Sequence, residues 1–171
     1  VFLTLNAPHY GPDDLPFVIE MAKRAAGAGI QAMIVADVGL MLALREAGVS
    51  EIISVASVGG IRSDLCPGSL VVPDQIIDYT WGRKSTFHEN SDEPVVHIDF
   101  TEPYDDGVRR RILAAGVTAG QPIVDGAVYA ATQGPRLETA AEINRLERDG
   151  ADLVGMTGMP EAALARELGI P

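Results

Sequence analysis

The 171-residue sequence is short of cysteine, histidine and positive charge, and each shortage closes off a class of function. Cys66 is the one cysteine, so an intrachain disulfide is excluded, and the cysteines of a single chain cannot ligate an iron–sulfur cluster. His9, His88 and His97 lie far apart with no spacing such as HExxH, so no metal is expected. Thirteen Lys and Arg against 24 Asp and Glu leave a formal net charge of −11, which disfavours a nucleic-acid backbone or an anionic membrane as partner. No apolar run approaches the roughly 18–20 residues of a membrane span, and the first residues lack a basic signal-peptide region. A cytoplasmic protein is the expectation.

What is present suffices for a single α/β domain. An apolar fraction of 47% with 22% charged residues is that of a folding chain, and the length matches one domain of roughly 100–200 residues. Val1–Asn6 is a β-rich run, Leu15–Ala28 an amphipathic helix stopped by glycines, and Ile30–Ala36 a buried strand. A helix over Gly39–Ala47 and a strand over Glu51–Val55 follow, giving a βαβαβ order that implies a largely parallel sheet. Strands are predicted at Ser69–Val72, Gln75–Tyr79, Gly126–Ala131 and Asp152–Met156. Helices are predicted at Asp106–Ala115, Glu138–Arg148 and Met159–Leu168. Between Trp81 and Glu93 runs a polar stretch long enough to suggest a substrate-side loop. Arg62, Arg83 and Lys84 read as solvated surface cations.

Three segments carry chemistry. Ser54–Ile61 (SVASVGGI) runs a strand into a Gly-Gly turn whose amides could bind an anion, although such a turn is also often only a turn. Gly134–Thr139 (GPRLET) joins a strand to a helix, the position beyond a parallel strand's carboxyl end where ligands sit. Glu138 there is open between a ligand contact and a first-turn helix carboxylate. Val154–Glu161 (VGMTGMPE) repeats the arrangement, with Met156 open between core and site and Thr157 between site and helix cap. Convergent polar groups at three strand ends make one binding edge.

These segments, with LREAGVSEIISVASVGGI, PGSLVVPDQIIDYT, HIDFTEPYD, ATQGPRLETAAE and GADLVGMTGMPEAALARELGI in order, resemble the trimeric branch of the purine nucleoside phosphorylases from about Leu40 to Pro171. That branch includes methylthioadenosine and methylthioinosine phosphorylases. The resemblance implies a three-layer α/β/α fold around a mostly parallel or mixed sheet, incomplete at both ends. It also implies a homotrimer, no cofactor, and inorganic phosphate as co-substrate in releasing a free base and a sugar 1-phosphate. Residue by residue it assigns Ser57 and Thr157 to phosphate, Met156 to ribose, and Leu137 and Glu138 to the purine. Leu137 stands where many relatives stack a phenylalanine, and Ala56 where many carry an asparagine or threonine. An ionised Glu138 would accept the N1–H of a 6-oxopurine, whereas N1 of adenine is itself an acceptor. Leu137 beside Glu138, and Gly158-Met159 after Thr157, look most like the methylthioinosine phosphorylases. The His97–Phe100 segment is open between a subunit boundary and an edge strand.

The first forty residues carry neither the glycine-rich phosphate loop nor the Arg-His-Gly segment of the family. They resemble instead a βαβ piece of the U32 peptidase-like family, with a join expected near residues 39–47. The sequence also stops before the family's last base contact. Removing one preorganised donor costs about 3–4 kcal/mol, so the chain as given is expected to be very slow unless other groups supply the charge. The alternative is an inactive recombined or designed α/β scaffold.

Overall fold

The computed structural model describes residues 2–5, 13, 15–27, 32–35, 45, 50–88 and 94–171. Near the amino terminus, β1 (Phe2–Leu5) pairs in parallel with β2 (Ala32–Val35) across helix α1 (Leu15–Gly27). Val18 is buried on that helix while Phe17 is exposed. The expected helix at Gly39–Ala47, and with it the expected join, falls outside the described residues except at Arg45, which is helical.

The sheet that organises the second half has four strands in the order β3 (Gly59–Gly60), β8 (Leu153–Gly155), β7 (Val128–Ala131), β5 (Gln75–Asp78). β8, β7 and β5 are mutually parallel and β3 runs antiparallel to β8, so the sheet is mixed. β4 (Leu70–Val72) and β6 (Ile123–Asp125) form a separate parallel pair. Helix α2 (Asp106–Ala119) leads into β6, α3 (Ala140–Arg148) joins β7 to β8, and α4 (Glu161–Glu167) follows β8. None of these helices is long and apolar enough to cross a membrane.

Parallel strands are stable when both faces are covered, and the side-chain alternation of β7 covers both. Ala130 meets Val154, Leu146 and Ala151 on one face, with Tyr79 and Ile143 packed against them. Ala127 and Tyr129 meet Leu153 on the other, backed by Val71 and Ile76. Helix α3 starts with a capping box: the Thr139 hydroxyl accepts from the Glu142 amide, and the Glu142 carboxylate accepts from the Thr139 amide at 2.7 Å. Tyr79 ties the carboxyl end of β5 to the end of α3 by donating to Asp149 at 2.7 Å.

Three expectations are corrected, and one reading left open is narrowed. Among the described residues Glu51–Val55 forms no strand; the Ile52 amide donates instead to the Pro171 carbonyl, and Val55 is exposed. An apolar run becomes a strand only where a partner edge receives it. Gly59-Gly60, expected as a turn, is the two-residue strand β3. Of the two readings open for His97–Phe100, the edge strand is not formed among the described residues. Helix α3 begins after Thr139, so Glu138 lies outside it, and the first-turn carboxylate is Glu142.

Candidate functional site

Three parallel strands deliver their carboxyl ends to one edge: β5 into Tyr79, β7 into Thr132 and β8 into Met156. The ends of β7 and β8 are locked together by the Thr132 amide, which donates to the Gly155 carbonyl at 2.7 Å. β3 approaches β8 with Gly59 opposite Val154, so the residues just before it, Val58 and Ser57, lie beside the end of β8. Ser57 is exposed there.

Glu138 is half-buried, and its Oε1 takes the hydroxyl hydrogen of Thr132 at 2.7 Å. Its Oε2 carries no hydrogen bond among the described residues. Thr132 also holds Gly155 through its own amide, so the Glu138 carboxylate is tied to the junction of both strand ends. Glu138, Thr132 and Gln133 line a cavity of about 320 Å³, with Tyr79, Trp81 and Arg145 across it. Leu137 is 79% exposed, free of the fold's own core.

Met156 is half-buried against Gly134, whose φ of 64° lies in the left-handed region; a Cβ there would collide with the Met156 sulfur. The close approach of the two loops therefore depends on glycine at that position. Thr157 is exposed, and its amide donates to the Tyr129 hydroxyl at 3.2 Å. The Thr157 and Tyr129 hydroxyls are also 3.2 Å apart. Thr157 does not cap α4: the residue before that helix is Pro160, which makes no side-chain cap. Burial pushes the Tyr129 phenol up, with its bonds to Thr157 and the nearby positive charge of Arg83 opposing. Tyr129 therefore stays protonated and orients the Thr157 loop.

The structure thus brings Glu138, Met156 and Thr157 to one edge and sets Ser57 beside it. Two neighbours of these residues were given no site role of their own by the sequence. Thr132 is a hydroxyl at a strand end, of a kind the pattern could have flagged. Arg83, expected as a solvated cation, is half-buried with its guanidinium turned onto Thr132, Gln133 and Met159. Arg62 pairs with Asp64 at 2.7 Å and lies 3.5 Å from Asp152. Arg136 binds both oxygens of Glu142 at 2.8 Å, and this pairing holds the Glu142 carboxyl down at about 2. Among the described residues there is no cluster of His, Cys, Asp and Glu able to hold a metal ion.

The sequence matches the phosphorylase superfamily over residues 26–171. That boundary is earlier than the expected one near Leu40 and takes in part of the segment that resembles the U32 family. The chain is similar to the probable S-methyl-5'-thioinosine phosphorylase of Xanthomonas campestris pv. campestris, with 54% identity over 128 residues, 75% of this chain and 51% of that protein. It is similar to the 6-oxopurine nucleoside phosphorylase of Pyrococcus furiosus at 45% identity over 131 residues, 74% of this chain and 49% of that one. In structure it resembles the methylthioadenosine phosphorylase of Schistosoma mansoni, with a TM-score of 0.73 and 30% identity, covering 79% of this chain and 53% of that one. The chain spans about half the length of the curated relatives it matches.

Proposed function

The chain belongs to the phosphorylase superfamily, and on that premise we propose that the intact protein cleaves a purine nucleoside with inorganic phosphate, releasing the free base and a sugar 1-phosphate. The observation that carries the proposal is the Glu138 carboxylate, fixed through Oε1 by Thr132 at a strand-end cavity with Oε2 left for a ligand. An ionised carboxylate accepts the N1–H of a 6-oxopurine, so hypoxanthine and guanine nucleosides are the preferred class. The similarity to a probable S-methyl-5'-thioinosine phosphorylase supports 5'-methylthioinosine within that class.

Leu137, exposed beside Glu138, offers an apolar face to the base. Met156 packs along the ribose, and the hydroxyls of Thr157 and Ser57 hold phosphate. Cleavage of the glycosidic bond develops positive charge on the sugar and negative charge on the departing base. Phosphate held near the sugar stabilises the first, and hydrogen bonds to the base stabilise the second. Phosphate is a co-substrate, and the scheme uses no cofactor. Because Arg62, Arg83 and Arg136 are engaged by the protein itself, we assign the counter-charge of the phosphate to a neighbouring subunit of a homotrimer.

Incubating the intact protein with inosine or 5'-methylthioinosine in saturating phosphate is expected to release hypoxanthine. Folded protein that releases none would sink the proposal. Light scattering tests the trimer, and a monomeric mass overturns that part.

A further inference from the structure

We propose that Arg83 is the positioning residue that fixes the loop after β7, carrying Glu138, against the loop after β8, carrying Met156 and Thr157. The inference rests on the function proposed above and adds the group that sets the spacing of the site's two walls. Arg83 Nε donates to the Gln133 side-chain oxygen at 3.1 Å, and Nη2 donates to the carbonyls of Thr132 and Gln133, each at 3.2 Å. Nη1 donates to the Met159 carbonyl. One planar group thus satisfies acceptors on both loops. The Trp81 amide donates to the same Gln133 oxygen at 3.2 Å, which holds the loop bearing Arg83 in register with the turn it clamps.

Geometry decides what this guanidinium does. Four of its five N–H groups are committed to neutral protein oxygens, so it has little left to offer an incoming anion. An arginine kept for phosphate would present its fork outwards. A lysine cannot replace it, because a single ammonium cannot reach acceptors spread across a planar fork. Without the fork, the carbonyls of Thr132, Gln133 and Met159 lose this partner, the Gln133 side-chain oxygen keeps only the Trp81 amide, and the loops are joined chiefly by the Thr132–Gly155 contact.

The test compares Arg83→Ala and Arg83→Lys with the unaltered intact protein, by amide hydrogen exchange and by steady-state kinetics. In Arg83→Ala, the amides of residues 133–138 other than Pro135, and of 156–159, are expected to exchange at least about tenfold faster together, while those of β7 keep their protection. The KM for nucleoside is expected to rise more than kcat falls. Added guanidinium should recover part of the loss in Arg83→Ala, and Arg83→Lys should recover little. Unchanged exchange in both loops, or a change confined to one, overturns the proposal. Unaltered protein that releases no base overturns the proposed reaction instead, and the exchange data still decide the role of Arg83.

Discussion

The Thr132 hydroxyl has one hydrogen and two acceptors within reach, the Glu138 carboxylate at 2.7 Å and the Gly155 carbonyl at 3.2 Å. The shorter contact takes the hydrogen, because a bond to an ionised oxygen is roughly twice as strong as a neutral one. Glu138 is thereby held by one oxygen and can spend the other on a ligand. Glu138→Gln keeps the shape and removes the charged acceptor, so kcat/KM for a 6-oxopurine nucleoside should fall by about 1.5–3 kcal/mol, roughly 10- to 150-fold. Comparing inosine with adenosine checks it: the ratio of the two should shift towards adenosine, and equal losses for both would remove Glu138 from base selection. Gly158 gives a second prediction at this scale. Its φ is 88°, and a Cβ would lie 2.6 Å from the Tyr129 ring. Gly158→Ala therefore combines left-handed strain of about 1–2 kcal/mol with overpacking of about 1–3 kcal/mol. A lower urea midpoint at unchanged slope is the expected result.

Helix α3 gives a separate prediction, because its start is built from two residues. Thr139→Ala removes the N-cap and should cost about 1 kcal/mol, read from the denaturant midpoint. Glu142 is held at about 2 by Arg136 and the Thr139 amide, below its ordinary 4.5. Its stabilising contribution is complete above 4.5 and is lost as pH falls towards 2. The stability gap between Glu142→Gln and the unaltered protein should close across that window; a gap constant with pH would reject the assignment. This element also marks what the sequence discloses. Thr139 and Glu142 stand three apart before a periodic run, so the capping box was legible, yet the expected helix start at Glu138 was two residues before the observed start at Ala140. β5, β7 and β8 were legible from short apolar runs bounded by turn residues. Three-residue β6, between Pro122 and Gly126, was not, because pairing with β4 some fifty positions away creates it. Arg83 was hidden for a similar reason: its acceptors lie 49 to 76 positions downstream, and a polar loop looks the same whether its cation meets water or main-chain carbonyls.

For the whole molecule, net charge −11 makes buried carboxylates the sensitive points. Glu161, at the start of α4, has a buried Oε2 with no hydrogen-bond partner among the described residues and lines an apolar cavity of about 150 Å³ beside Tyr104. Burial pushes its carboxyl above the ordinary 4.5; its own amide and the positive charge of Arg83 pull the other way without prevailing. Tyr104 and Tyr129 face the same charge, and burial raises both phenols, so neither phenol supplies a charge at neutral pH. A carboxyl raised on folding binds its proton more tightly in the native state. Its contribution is therefore favourable below 4.5 and is lost as pH rises through the raised folded value. Glu161→Gln keeps the size and removes the ionisation, so it should match the unaltered protein near pH 4 and be the more stable at pH 8. The gain should be of the order of the penalty for an unsatisfied buried acceptor, about 1–3 kcal/mol, or about 2–4 °C in Tm for each kcal/mol in a chain of this size. Thermal melts from pH 4 to 8 measure it. If the Glu161→Gln advantage is independent of pH, or greatest at pH 4, Glu161 is not the buried acid that shapes the chain's response to alkali.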